Sequence, residues 1–388
     1  MINKLTILSH LFPNESIPYQ GKFIADQVSL IQNHLPDTKL SIVIPTPVSI
    51  PLTQKDTIAK SRFIQFTSLA KRVHYLSIPR LHFPKIVLKS YVASLRKSNL
   101  LHDAEIVHVH FLYPNGLIIP FLKSQGIKTV LSIHGSDYYN IATLTAFQPI
   151  ISNIFKEVDL ILPVGPQLCE AITNKFPVTR GKTHQINNFV DEHKYSHPDK
   201  QQKIDFKSEL GWDQNKIHFL PISKNRPEKG LDILFGAIEH LNSYKNKVQF
   251  HIIGDINDPM RSTDLKTSSM IDVIPPMSSE KLIRYFHASD MFVSPSRREG
   301  FGLALIEAAA TGLPIIATPT GIAPKIIDKN IGVLSNDFST EELAKSIEKM
   351  IVTYQDFDSS YIRESVLSKF GSEIFSKTLF EHYHALLE

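Results

Sequence analysis

At 388 residues the chain is long enough for two ordinary domains, and 42% hydrophobic with 21% charged residues is the balance of a water-soluble globular protein. The net charge of +4 is unevenly divided: residues 1–195 carry 20 Lys and Arg against 12 Asp and Glu, residues 196–388 carry 22 against 26, so an anionic partner is expected for the first half. The single cysteine, Cys169, excludes an intrachain disulfide framework and a Cys-based zinc site and makes a reducing, cytosolic setting the default; no apolar run approaches the ~20 residues of a membrane span, residues 1–9 lack the apolar core of a signal peptide, and neither an internal repeat nor a nucleic-acid motif is present.

In chain order, residues 5–9 predict a strand. A loop follows, residues 10–20 with Pro13 and Pro18, and Gly21-Lys22-Phe23 opens a helix through residue 31. Residues 39–44 read as a second strand; residues 45–83 show no clear period and are expected to be irregular. A helix is predicted over 85–100. Residues 105–110 form a strand with His108 and His110 on one face. His-x-His is half of a metal site in spacing, but no carboxylate or cysteine cluster accompanies it, so packed, hydrogen-bonded histidines are expected. Tyr113-Pro114-Asn115-Gly116 begins another helix. Residues 128–133 are a strand of the all-buried type ending in His134-Gly135-Ser136-Asp137, and strand ends of open α/β sheets are where ligands gather. A strand over 159–164 and a helix over 167–174 lead to Ile186-Asn187-Asn188-Phe189-Val190-Asp191. Polar residues concentrate over 190–205 and place a domain boundary there.

The second half opens with a strand over 217–222 and the loop Ser223-Lys224-Asn225-Arg226-Pro227-Glu228-Lys229-Gly230. Strands over 248–253 and 270–274 and a helix over 279–288 follow. The richest stretch runs from the strand at 291–293 through Ser294-Pro295-Ser296-Arg297-Arg298-Glu299-Gly300-Phe301-Gly302-Leu303 into a helix reaching residue 311, with Gly312-Leu313-Pro314 as its stop and a strand after it. Two glycines flank Phe301 where the helix begins. The N–H groups of Gly300, Phe301, Gly302 and Leu303, with the helix dipole behind them, suit a phosphate. Glu299 and Glu307 cannot bind phosphate; an ionised carboxylate only accepts hydrogen bonds, so its partners are hydroxyls. A phosphate site bracketed by two hydroxyl-seeking carboxylates reads as a nucleotide-sugar site. Asp356-Phe357-Asp358 has the spacing of a metal-binding Asp-x-Asp, though a helix cap is favoured. The last helix is expected over 370–387.

Glu299-Gly300-Phe301-Gly302 with a second Glu eight positions after the first resembles the E-x7-E signature of retaining glycosyltransferases of family 4, and the likeness extends over nearly the whole chain. It implies an α/β protein of the GT-B fold: two doubly wound Rossmann-like domains facing a central cleft, with a C-terminal helix crossing back to the N-domain. The corresponding domains are 1–195, on the acceptor side, 196–368, for the nucleotide sugar, and 369–388, the returning helix. By the same resemblance His134 contacts the donor sugar near the reaction centre, Glu299 contacts that sugar and Glu307 holds the ribose hydroxyls. Lys229, with Lys224 or Arg226, stabilises the diphosphate. The sequence departs from the family at Asn187 and Phe189 in the hinge segment, at Lys224 where an Arg is usual, and at Lys325 where a Glu is usual. Phe12-Pro13-Asn14-Glu15-Ser16 replaces the glycines of the first loop, and with Gly21-x-Phe23 this version is similar to a subgroup acting in polysaccharide assembly.

The implied reaction is transfer of a hexose-type sugar from a UDP- or GDP-sugar donor to a hydroxyl of a glycan or lipid-linked oligosaccharide, with retained configuration, no cofactor and no metal, in cell-surface polysaccharide synthesis. Two alternatives stay open: a UDP-GlcNAc-type epimerase of the same fold, and a catalytically silent nucleotide-sugar-binding subunit. Residues 57–102 contain no acidic residue and nine basic ones, Lys60, Arg62, Lys71, Arg72, Arg80, Lys85, Lys89, Arg96 and Lys97, interleaved with Phe63, Phe66, Tyr75 and Phe83. Val87, Leu88, Tyr91, Val92 and Leu95 form one apolar arc on the helix there. That pattern suits either packing on the chain's own domain or peripheral association with the anionic cytoplasmic face of the inner membrane.

Overall fold

The computed structural model describes residues 2–49, 61–77, 84–256 and 269–388; Lys60, Arg80 and Phe83 of the basic stretch lie outside the described residues. The chain divides into two compact units, one of Met1–Asn187 with Phe375–Glu388, the other of Asn188–Ile374. The first crossing between units thus falls inside the segment 186–191, ahead of the polar stretch that the sequence suggested.

The first unit is built on strands β1 (Lys4–Leu8), β2 (Lys39–Ser49), β3 (Ala70–Ser77), β4 (Ile106–His110), β5 (Lys128–Ile133) and β6 (Leu160–Pro163), all parallel, in the order β3-β2-β1-β4-β5-β6. β4 is buried along its whole length, as expected of a parallel strand covered on both faces. The second unit holds β7 (Ile217–Pro221), β8 (Val248–Ile253), β9 (Ile271–Ile274), β10 (Met291–Ser294), β11 (Ile315–Ala317) and β12 (Gly332–Leu334), in the order β12-β11-β10-β7-β8-β9. Both sheets follow the Rossmann winding: the chain runs outward in one direction, returns to the centre, and runs outward in the other. The reversals fall between β1 and β4 and between β7 and β10, where ligand crevices open at the strands' carboxyl ends.

Two local readings need correction. Residues 45–83 are not irregular throughout: β2 continues to Ser49, and β3 buries Ala70, Val73 and Tyr75 while Lys71 and His74 face out. β3 is the sheet's edge, and exposed Lys and His there discourage pairing with another strand. The polar region 190–205 contains the start of a helix, Lys200–Glu209, without a strong apolar stripe. It forms because Asp199 and Gln202 close a capping box and because Lys203 and Lys207 bond the buried Asp290 at 2.9 and 3.0 Å. Asp290 also accepts the His218 N–H at 2.9 Å, so both strand and helix satisfy its charge. The last helix, expected over 370–387, runs Ser372–Leu387 behind a separate helix, Ser359–Phe370, and it starts in one unit and continues in the other. Asp358 accepts from the Ser360 and Tyr361 N–H groups at 2.9 and 3.2 Å, so Asp-x-Asp is a helix cap.

The apolar arc on the basic helix, Pro84–Ser98, turns three of its five residues into the core and leaves Leu88 and Val92 half-buried. Val87, Tyr91 and Leu95 are buried, Tyr91 stacks on Tyr75 with ring centroids 4.9 Å apart, and Ser90 accepts the Leu76 N–H at 2.7 Å. Phe63 and Phe66 pack on Phe12, while Arg72 lies 3.9 Å over Phe63 and Arg96 5.0 Å over Phe121. Among the described residues, no helix is long and apolar enough to cross a membrane.

Candidate functional site

In the second unit the loops after β7 and β10 meet. Gly230, at φ 63°, lets them do so: a β-carbon there would stand 2.0 Å from the Pro295 carbonyl oxygen. The Arg297 and Arg298 N–H groups bond the Glu228 carbonyl at 2.9 and 3.2 Å, and the Arg297 guanidinium takes Asp232 in a bidentate grip of 2.7 and 2.6 Å. So fixed, the loops place Lys229 Nζ 2.7 Å from Glu299 Oε1. The same oxygen accepts from Ser296 Oγ at 2.7 Å, and the Glu299 N–H donates to Thr320 Oγ1 at 3.2 Å. Gly321 closes the other side, with no room for a β-carbon against the Phe301 carbonyl and Glu299 Cβ.

Lys224 and Arg226 join Lys229 in one cationic group. The Lys224 residue is exposed, but its ammonium is held below the usual lysine range, first by desolvation and then by the Arg226 and Lys229 charges. Arg226 lies 3.9 Å from Glu228, with its side chain mostly in solvent, an arrangement that contributes little to stability. The helix Leu303–Ala310 starts at Gly302 with no side chain capping it. Gly300 and Leu303 are partly exposed, whereas the Phe301 ring is buried edge-on against Phe370, so Phe301 can offer a ligand only its backbone. Glu307, on the same helix, accepts from Tyr195 OH at 2.7 Å. Glu299 and Glu307 could be picked out by spacing. Ser296, Thr320 and Tyr195 were not assigned roles, because a lone hydroxyl in a loop carries no pattern until the fold supplies its partner.

His134 belongs to the first unit, at the end of β5. It is half-buried in a group of imidazoles and rings: its Nε2 is 3.1 Å from His110 Nδ1, its ring lies 4.8 Å from Phe23 and 4.6 Å from Phe111, and its N–H donates to Asp137 at 3.0 Å. Asp137 also accepts the Leu112 N–H at 2.7 Å, tying the turn to the end of β4. His108 stacks on His110 at 4.3 Å and bonds Ser132 Oγ at 2.7 Å and the buried Tyr383 hydroxyl at 2.6 Å. The His-x-His pair is therefore packed and hydrogen-bonded. Among the described residues, no three His, Cys, Asp or Glu side chains gather as a metal site. Gly21-x-Phe23, marked in the sequence, brings the Phe23 ring onto His134.

Two Rossmann-wound sheets, with carboxylates, cations and a helix N-terminus at the centre of the second, define a glycosyltransferase of the GT-B fold. Residues 202–359 match the family model of glycosyl transferases group 1, and residues 54–194 that of glycosyltransferase family 4. The chain belongs to this family and is a glycosyltransferase. It is 25% identical to the uncharacterized glycosyltransferase MJ1178 of Methanocaldococcus jannaschii, over 80% of this chain and 87% of that one. It is 24% identical to TuaC of Bacillus subtilis, a glycosyltransferase named for teichuronic acid biosynthesis, over 89% and 88%. The crystal structure of Anabaena Alr3699/HepE in complex with UDP shares the fold at a TM-score of 0.75 and 15% identity, covering 98% of this chain and 100% of that one.

Four histidines, His108 and His110 buried, His10 and His134 half-buried, set a pH dependence. Burial, the largest cause in each case, holds His10 at about 4, His108 at about 3, and His110 and His134 well below the imidazole range. Below the ordinary value of 6.5 the unfolded chain takes up protons that the folded one refuses, so stability is lost as pH falls from 6.5 toward 4, by up to about 1.4 kcal/mol per pH unit per histidine. Asp137, raised by burial to about 6, acts oppositely, but it is one group against four. The melting temperature should therefore drop between pH 7.5 and pH 5, and His110→Gln should flatten the slope. An unchanged melting temperature across that range would show that these imidazoles titrate alike in both states.

Proposed function

We propose that this glycosyltransferase moves a hexose-type sugar from a UDP- or GDP-sugar to a hydroxyl of a glycan or lipid-linked acceptor, with retained configuration, in cell-surface polysaccharide synthesis. The observation that carries the reading is Glu299 held between Lys229 and Ser296 beside the cationic loop. The carboxylate is fixed in place to accept from sugar hydroxyls, and an ammonium with three donors can keep Glu299 on one and reach a phosphate oxygen with another. The UDP in the HepE complex and the naming of TuaC for teichuronic acid biosynthesis support a nucleoside-diphosphate donor and a cell-surface acceptor.

In the proposed reaction the bond from the anomeric carbon to the phosphate oxygen breaks, and the electron pair leaves with the diphosphate. The acceptor oxygen bonds to the same face of the sugar and gives its proton to the departing phosphate. Charge grows on the leaving group, and Lys229, with Lys224 or Arg226 and the N–H groups from Gly300 to Leu303, is arranged to stabilise it. His134, kept neutral by burial, serves as a hydrogen-bonding group toward the donor sugar.

The two carboxylates should separate by role. Glu307→Ala should weaken UDP or GDP binding, and Glu299→Ala should lower turnover with nucleotide affinity largely intact. Each effect should be about tenfold or more, the scale of one hydrogen bond to a charged group. Calorimetry beside initial rates checks this, and wild-type values for both variants would sink the assignment.

Because cationic side chains are assigned to the leaving group, activity should survive EDTA, whereas Lys229→Ala should cost about 10²-fold or more. Activity lost in EDTA and restored by magnesium or manganese would overturn this part of the reading.

For location, the packing leaves an electrostatic contact, through the exposed Lys71, Lys85, Lys89 and Lys97, as the form of attachment to an anionic cytoplasmic leaflet. Co-sedimentation with anionic vesicles should then occur at low salt, disappear at high salt, and be absent with neutral vesicles. Binding to neutral vesicles, or to none, would refute it.

A further inference from the structure

We infer that Tyr195 is a positioning residue for donor recognition: its hydroxyl fixes the Glu307 carboxylate in the orientation that receives the ribose hydroxyls of the nucleotide. This rests on the reading of Glu307 given above. Tyr195 OH stands 2.7 Å from Glu307 Oε1, and since an ionised carboxylate only accepts, the tyrosine donates. Tyr195 is 4% exposed, and its ring meets Phe286 edge-on at 5.8 Å, so the hydroxyl has little freedom to turn elsewhere.

The segment carrying Tyr195 is itself anchored. Asp191 accepts from the His193 and Lys194 N–H groups at 3.1 and 3.2 Å, and the Tyr195 N–H returns to the Asp191 carbonyl at 2.9 Å. The Glu192 carboxylate takes Ser372 Oγ at 2.8 Å and the Ser372 N–H at 3.1 Å. Arg363 bonds three carbonyls at once, those of Glu192, Tyr195 and Ala310, the last at the end of the helix that bears Glu307. The guanidinium thus clamps the tyrosine's segment to the carboxylate's helix.

A glutamate on a helix surface samples many rotamers, and a ligand that needs one of them bears the cost of selecting it. Tyr195 selects it beforehand, which is preorganisation. It occupies one acceptor direction of Oε1, and an ionised carboxylate offers about four, so capacity remains for a pair of neighbouring hydroxyls. Tyr195 therefore acts on discrimination between ribose and deoxyribose as well as on affinity.

The test is calorimetry of UDP and GDP, each beside its 2′-deoxy counterpart, with the wild type, Tyr195→Phe, Glu307→Ala and the double variant. Tyr195→Phe keeps the ring and its packing. It should lower affinity for the ribonucleotide and the preference over the deoxynucleotide by about three- to tenfold, raise KM for the donor and leave kcat close to wild type; the double variant should be no weaker than Glu307→Ala alone. Unchanged affinity and preference in Tyr195→Phe, while Glu307→Ala loses both, would overturn the role of Tyr195 and leave Glu307 standing. Additive losses in the double variant would overturn it too. A Glu307→Ala variant that binds and discriminates like the wild type would remove the reading of Glu307 itself, and Tyr195 with it.

Discussion

A parallel sheet wound outward in both directions from one central pair of strands leaves two neighbouring loops that depart to opposite sides. Everything distinctive about the second unit follows from that constraint at β7 and β10. The loop after one supplies Lys229, the loop after the other Glu299, and neither residue would meet the other on a sheet of different order. The approach is close enough to need Gly230, since any side chain there would strike the Pro295 carbonyl. The bidentate pair of Arg297 with Asp232 sits at the surface and adds little stability. Its value is geometric, because it fixes how far the two loops separate.

The first unit solves a different problem with the same winding. Its central strand ends gather neutral imidazoles in place of charges, stacked and bonded from Tyr383 through His108 to His110 and His134. Burial suppresses their protonation, so this region presents hydrogen-bonding groups without net charge. In the second unit three cations share one loop region, and desolvation, then the Arg226 and Lys229 charges, holds the Lys224 ammonium below the usual lysine range.

How much of this could be read beforehand depended on whether residue type alone carried the information. The core strands were legible because continuous apolar runs have few other uses. Glu299 and Lys229 stood out as charged residues beside glycines in loops after strands, and Glu307 by its place eight positions after Glu299. β3 escaped notice because its outward positions hold Lys71 and His74, and an edge strand needs only half its residues apolar. The helix at Lys200–Glu209 escaped because a cap and the ion pairs to Asp290 hold it, and Asp290 is 83 residues from Lys207. The arc of Val87, Tyr91 and Leu95 was seen correctly as apolar, but the sequence does not say whether such a face meets a bilayer or Tyr75. Tyr195 lies beyond the reach of pattern for a similar reason: its partner is 112 residues away and is brought to it by packing.

The last helix gives the first unit its final segment, Phe375–Glu388, only after the whole second unit has intervened. The bond between His108 and Tyr383 spans 275 residues. During synthesis the six strands of the first sheet leave the ribosome long before the side chain that completes the environment of β4, so the second unit has the opportunity to fold while the first is still unfinished. The same connectivity sets a rule for building chimaeras from relatives. A second unit exchanged between two such enzymes has to be inserted between residues 187 and 375, with the recipient keeping its own Phe375–Glu388. A simple fusion at the first crossing would pair one protein's histidines with another protein's tyrosine.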